Sequence, residues 1–249
     1  MKNDEIEITV AGCGDAFSSG GNLHTCFHVK TQNIQFLIDC GSSALAGLKR
    51  YGIDTKSLNA IVISHFHGDH FGGIPFIILQ LFKVEKRTFP LTIISPVGGK
   101  EKISALFSLL YAGAEDVLEN EFLHYIEYNN YEEIKFQTIK ITAYPVLHAV
   151  LSQPHGLRFE INGKTLAYSG DTEWTDELIS LSDKADLFIC ECNNYKNISP
   201  GHMNISDIKK NYLKLNCSNL VLTHFGDEML KNKESLNYVY AIDGMKFTL

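Results

Sequence analysis

Apolar positions fall into short runs of strand length, separated by helix-like stretches and by loops rich in Gly, Ser and Asn. Strands are predicted over residues 7–10 and 36–38, with a Gly/Ser-rich loop over 12–21 between them and a helix over 44–51 after them. Ala60-Ile61-Val62-Ile63 is apolar throughout, as suits a strand buried on both faces. It ends at Ser64 and gives way to a predicted helix over about 69–84. A strand over 91–94 and a helix over 102–111 follow, then strands over 134–146, 157–161 and 165–168. Apolar strand ends at 187–190 and 220–222 each lead into a helix. Two strand-rich halves, each with helices, point to two packed sheets with helices on both outer faces. No repeat, low-complexity segment or Pro/Gly/Ser-rich linker interrupts the pattern, so residues 1–249 read as a single domain.

Composition narrows the classes. The 249 residues are 45% hydrophobic, 20% charged and 11% aromatic, which excludes disordered, collagenous and coiled-coil proteins. A chain this long buries a core without disulfides. The formal charge of −7 argues against a broad nucleic-acid clamp. The start, Met1-Lys2-Asn3-Asp4-Glu5, is acidic and lacks the apolar region of a signal peptide. The most apolar stretch, residues 74–82, is far short of the ~20 residues of a membrane helix. Cys13, Cys26, Cys40, Cys190, Cys192 and Cys217 are scattered and are expected to be reduced, with Cys190 and Cys192 buried in a strand. The cytoplasm is the expected location.

The chemistry is concentrated in Ser64-His65-Phe66-His67-Gly68-Asp69-His70, directly after the buried strand. His65 and His67 point the same way in extended backbone, and Asp69 and His70 follow at the turn into a helix. Four candidate ligands in six residues suit a pair of metal ions. His148, Asp171, His202 and His224 share the same kind of place, just beyond an apolar strand. Each alone is unremarkable; together they make a site.

These motifs resemble the metallo-β-lactamase-fold hydrolases over nearly the whole chain: Asp39-Cys40-Gly41, the His65–His70 block, His148, Gly170-Asp171-Thr172 and His224, in that order. His67-Gly68-Asp69-His70-Phe71-Gly72-Gly73-Ile74-Pro75 and Asp39-Cys40-Gly41 are similar to the tRNase Z branch. The resemblance implies an α/β fold, a four-layer αββα sandwich of two mixed sheets. It also implies one metal held by His65, His67 and His148, a second by Asp69, His70 and His224, and Asp171 as the bridge. Such donors suit two divalent ions, with Zn²⁺ expected and Mn²⁺ or iron also accepted. Two divalent cations with two ligating carboxylates leave a net positive charge, which a bridging hydroxide and one phosphodiester anion would balance.

His202 lies in Gly201-His202-Met203-Asn204 and is not needed to complete either metal's shell. In the tRNase Z branch a histidine in such a loop is thought to protonate the leaving oxygen, supported by an upstream acid; Glu191 matches that acid here. Asp69 and Glu191 join His202 as the expected catalytic residues. The chain departs from the branch at Ser42-Ser43, Cys192-Asn193 and Met203-Asn204. It also lacks the tRNA-gripping arm, because His148 and Asp171 are only 23 residues apart, with a hairpin expected between them. Both that gap and the negative charge count against tRNA as substrate.

The expected function is a metal-dependent phosphodiesterase of small anionic substrates, such as a cyclic nucleotide or cyclic phosphate. A metal-bridging hydroxide is the expected nucleophile and His202 the general acid. Armless relatives of this kind include enzymes that open cyclic nucleotides, among them the anti-Pycsar type. The alternatives are a tRNase Z-type endoribonuclease, with a dimer partner or Lys83-Val84-Glu85-Lys86-Arg87 as clamp, a carboxylic ester or thioester hydrolase, and a non-catalytic metal-binding module. The resemblance also implies a homodimer. The 12–21 loop is read either as a phosphate-contacting turn or as an ordinary one. No role is assigned to His24, His28, His124 or His155.

Overall fold

A computed structural model describes residues 5–249; residues 1–4, which carry most of the reading of an acidic start, lie outside the described residues. The first six strands, β1 (Glu7–Gly12), β2 (Cys26–Lys30), β3 (Gln35–Ile38), β4 (Ala60–Val62), β5 (Leu91–Pro96) and β6 (Leu123–Tyr128), build one sheet. The next seven build the other: β7 (Glu133–Phe136), β8 (Ile139–Pro145), β9 (His155–Ile161), β10 (Lys164–Tyr168), β11 (Leu187–Glu191), β12 (Leu220–Thr223) and β13 (Val239–Tyr240). The last strand, β14 (Lys246–Thr248), returns to the first sheet beside β1. Both sheets are mixed: β3 to β6 run parallel, as do β10 to β13, and the remaining neighbours pair antiparallel.

Three apolar layers hold the sandwich. Between the sheets lie side chains such as Ile8, Phe36, Ile141 and Phe159, with the Phe36 and Phe159 rings 5.4 Å apart. Outside the first sheet, α1 (Ala44–Arg50), α2 (Gly68–Phe71), α3 (Ile74–Ile78) and α4 (Gly99–Leu110) cover a second layer that includes Leu37, Ile61 and Ile93. Outside the second sheet, α5 (Glu177–Ser182), α6 (Ile205–Asn211) and α7 (Asp227–Asn232) cover Ala167, Phe188 and Leu222. Leu37 and Phe36 thus face opposite layers, as the strand period of two requires. The αββα arrangement follows.

Several elements differ from their sequence pattern. The helix expected over 69–84 is two short helices and a wide π turn, Leu79–Val84. Gly72-Gly73 and Pro75 interrupt it, and Gly73 lies so close to the Gly41 carbonyl that a Cβ there would stand 2.2 Å from its oxygen. The strand expected over 134–146 is the hairpin β7–β8, turned at Gln137 with φ of 51°. Strands β2, β6, β13 and β14 were not apparent from the pattern. All six cysteines are free, and Cys190 and Cys192 are buried together under the second sheet.

Candidate active site

Six strands deliver the site. In the first sheet β3 and β4 are parallel, so Asp39 and His65 emerge from the same edge. In the second, β8, β10, β11 and β12 all point one way, and His148, Asp171, Glu191 and His224 stand at or just past their carboxyl ends. Ligands of open α/β sheets gather at that edge. Backbone hydrogen bonds join the two edges: His155 N to Ser64 O at 3.1 Å, Phe66 N to Ser152 O at 2.9 Å, and His224 N to Cys13 O at 3.0 Å.

There the donor atoms converge. Those of His65, His67 and His148 lie within 4.8 Å of one another, and so do those of Asp69, His70, Asp171 and His224. Asp171 joins the two groups through a single oxygen. Its Oδ2 is 3.3 Å from His70 Nε2, 3.4 Å from His224 Nε2, and 3.9 Å from both His65 Nε2 and His148 Nε2. His148 Nε2 and His67 Nδ1 are 3.0 Å apart, near the roughly 3.3 Å that separates nitrogen donors around a tetrahedral zinc. His65 Nε2, His70 Nε2 and Asp171 Oδ1 are buried without a hydrogen-bond partner. An unmet buried polar atom costs about 1–3 kcal/mol, a cost that coordination removes. The donor set therefore fits metal ions.

Outer contacts aim these donors. Asp39 is fully buried and takes a left-handed backbone, φ 58°. Its Oδ2 stands 2.7 Å from His70 Nδ1 and accepts from Ser64 Oγ at 2.8 Å and Tyr168 Oη at 3.0 Å; its Oδ1 accepts from Ser64 N at 2.7 Å. A carboxylate behind a ligating imidazole sets its tautomer and raises its basicity. Gly201 O does the same for His148, 2.7 Å from Nδ1. Only glycine serves at 201: φ is 82°, and a Cβ would meet His148 Nδ1 at 2.5 Å. His224 also has positive φ, 62°, the kind of backbone strain that collects at functional sites.

Electrostatics divide the histidines. Burial, helped by neighbouring imidazoles, pushes His65, His67 and His148 down and keeps them neutral donors. Burial also opposes charge on His70 and His224, but Asp171 and Asp69 outweigh it and push both up. Burial resists the Asp69 carboxylate too, yet His70 and His224 hold it well below the usual carboxylate range.

His202 sits between the two groups. Its ring is 4.8 Å from that of His148 and stacks on His224 at 5.5 Å. Nδ1 lies 2.9 Å from Glu191 Oε1. Burial opposes its protonation, but the Glu191 hydrogen bond and charge prevail and the imidazole is pushed up to about 9. Glu191 is itself 1% exposed and accepts from the backbone N–H groups of Thr172, Asn193 and Met203.

The site residues expected from sequence, His202 and Glu191 among them, thus meet at one rim. Asp39, from the Asp39-Cys40-Gly41 motif, joins them just past the apolar strand β3, a place its position after Phe36-Leu37-Ile38 signals. Of the basic segment 83–87, Lys83 and Lys86 are exposed and Arg87 is buried. The Arg87 side chain is 5% exposed, spends its guanidinium on the carbonyls of Lys56, Leu58, Phe89 and Pro90, and lies over the Phe89 ring. Lys83 pairs with Asp116 at 2.9 Å. In the 12–21 loop, Asp15 closes the turn on itself by accepting from Ser19 N and Ser19 Oγ. The four unassigned histidines bond locally: His24 with Ser18 and Ser42, His28 with Gln35, His124 with Glu121 O, and His155 with Asn130 and Gln153 O. Where the tRNA-binding arm would stand, residues 148–171 hold one short turn and the β9–β10 hairpin.

Comparison with known proteins agrees with this geometry. The family model described as anti-Pycsar protein Apyc1 matches residues 6–244. The chain belongs to that family. It is a metallo-hydrolase of the metallo-β-lactamase fold. The probable metallo-hydrolase YhfI of Bacillus subtilis (strain 168) is 26% identical over 228 residues, covering 88% of this chain and 86% of that one. The solved structure of YhfI superposes with a TM-score of 0.80 at 23% identity, covering 99% of this chain and all of the other. A ribonuclease Z of Agathobacter rectalis is 33% identical over 162 residues, 64% of this chain and 50% of that protein. The short form of human tRNase Z shares the fold, with a TM-score of 0.76 at 21% identity, covering 97% of this chain and 98% of that one. The matched residues 6–244 include every site residue described above. Among the described residues no helix is long and apolar enough to cross a membrane.

Proposed function

We propose that the chain acts as one hydrolase domain, a two-metal phosphodiesterase that opens a small phosphodiester such as a cyclic nucleotide. The observation that carries this reading is the His202–Glu191 pair, 2.9 Å apart and seated between His148 and His224. An alkoxide leaving group has a high pKa and gains about 10²–10⁴ in rate from a positioned acid, whereas thiolates and strained amides need one far less. The match to the Apyc1 family and the short 148–171 interval support a small substrate. The burial of Arg87 takes one cation out of the basic segment that would favour RNA.

His65, His67 and His148 would hold one ion and Asp69, His70 and His224 the other, with Asp171 shared; zinc is the expected metal. When bound, such ions lower the pKa of water toward ~7 and polarise the phosphoryl group. The chain's own residues do the rest. Asp39 and the Gly201 carbonyl fix the imidazoles of His70 and His148. Glu191 holds the His202 ring through Nδ1 and favours its charged form. As a P–O bond to the attacking water oxygen forms and the P–O bond to the leaving oxygen breaks, His202 Nε2 passes its proton to that oxygen.

The test is a parallel assay of zinc- and manganese-loaded protein on 3′,5′-cyclic nucleotides, bis-(p-nitrophenyl) phosphate, precursor tRNA and S-lactoylglutathione. Turnover of the cyclic nucleotides with inert tRNA supports the proposal. Thioester cleavage with inert phosphodiesters overturns it.

A further inference from the structure

Two cavities flank the site. One of about 420 Å³ touches His148 but not His202. The other, about 660 Å³, includes His202 in its wall together with Trp174, Tyr195, Ile198 and Pro200. That volume lies within the ~300–1,000 Å³ of small-molecule sites. A general acid marks the side on which the leaving oxygen departs, so whatever is attached to that oxygen lies towards the second cavity.

The polar groups of this cavity are largely committed to its own loop. Asn204 Oδ1 accepts from Ser206 N at 2.8 Å, and its Nδ2 donates to Asn197 O at 2.7 Å. Asp207 Oδ2 accepts from Asn204 N at 3.0 Å, and Glu173 Oε1 accepts from Gly201 N at 2.7 Å. The rest of the wall combines the exposed Lys196 with flat or apolar side chains. Trp174 and Tyr195 are half-buried, braced against the apolar layer under the second sheet, and Ile198 is 88% exposed. Lys214 Nζ stands 5.9 Å from the centre of the Trp174 ring. Braced aromatic side chains beside a cation are how proteins hold nucleobases without a hydrogen-bond code.

Resting on the phosphodiesterase reading, we infer that Trp174 and Tyr195 form the platform on which the nucleobase of a nucleoside cyclic phosphate stacks, beyond His202. The two residues set affinity for the nucleoside and take no part in bond breaking. Removing one stacking partner, worth ~1–3 kcal/mol by alanine substitution, weakens binding by about five- to 150-fold.

Trp174 is the only tryptophan of the chain, so its fluorescence reports the cavity directly. Metal-loaded protein is titrated with AMP, with 3′,5′-cyclic AMP, and with methyl ribofuranoside 3,5-cyclic phosphate, which carries no base. Saturable quenching by the two nucleotides and none by the baseless analogue is expected. Trp174→Ala raises KM for the cyclic nucleotide within the range above, leaves kcat within a few-fold, and leaves KM for the baseless analogue unchanged; Trp174→Phe restores most of the loss. Should Trp174→Ala fail to fold, Tyr195→Leu replaces it. Unchanged fluorescence at nucleotide concentrations that saturate turnover overturns the inference, as does an equal rise in KM for both substrates. If the unaltered protein cleaves no phosphodiester, the phosphodiesterase reading fails; the AMP titration still decides the platform, which quenching supports and its absence overturns.

Discussion

The two sheets bring their chemistry to the rim in different ways. The first contributes His65, His67, Asp69 and His70 from one six-residue turn after β4. The second contributes His148, Asp171, Glu191 and His224 one at a time, each at or beyond the end of a different strand, and then His202 from the loop before α6. In the first case local backbone geometry orients the donors, with Asp39 behind them. In the second, parallel strand registry does so, and contacts such as Gly201 O to His148 finish the aim. A compact block brings half of the clustered donor atoms. The dispersed residues bring the other half and the proposed acid.

The contrast can be broken most severely at the residue that joins the halves. Asp171→Ala removes the oxygen that faces four imidazoles, and bound metal and phosphodiester cleavage should both fall to background. Elemental analysis beside an activity assay checks this, and a variant with its full metal complement would show that Asp171 is not the joint. Next in size, His202→Ala should lower kcat by about 10²–10⁴ while metal content stays at the unaltered level. The loss should shrink for p-nitrophenolate, which leaves without a proton; an equal loss for both leaving groups would contradict the assignment of an acid.

The first block can be tested from behind. Asp39→Asn leaves every donor in place but weakens the hold on His70, and should cost about 10–100-fold in metal affinity, read by competition with a chelator. An unchanged affinity would show that the turn alone orients the block. His28 supplies the contrast of a buried histidine on the same sheet outside the site. Burial, against the Gln35 hydrogen bond, pushes it down to about 4 from the ordinary 6.5 of a free imidazole. The unfolded chain therefore binds more protons between those values, so stability is complete above pH 6.5 and falls as pH drops toward 4. The loss amounts to at most about 3 kcal/mol. His28→Gln should flatten that part of the curve in denaturant titrations and leave activity at neutral pH unaltered.

Legibility followed the same division. The His65–His70 block was plain because its donors are neighbours in sequence, and β4 was plain because it is buried on both faces. Strand β2 was not: its alternation of Phe27 and Val29 with His28 and Lys30 is too short to stand out. Strand β6 has only its end residues buried, so its pattern is half that of a surface segment. The helix expected over 69–84 was drawn too long because its apolar residues outweighed Gly72, Gly73 and Pro75. Arg87 read as a surface charge beside Lys83 and Lys86, and nothing local shows that four carbonyl groups await it.

By itself the sequence determined which residues carry donor atoms, that most of them stand after apolar strands, and that no arm fits between His148 and Asp171. Those are properties of residue type and spacing along one chain. Tertiary structure decided the rest: that one oxygen of Asp171 faces four imidazoles, that Asp39 stands behind His70, that Glu191 and His202 are partners, and that Trp174 and Tyr195 share a cavity with the acid. The reason is that these contacts join residues apart in the chain and exist only once strand ends have aligned, within one sheet for Asp39–His70 and Glu191–His202 and between the two sheets for Asp171.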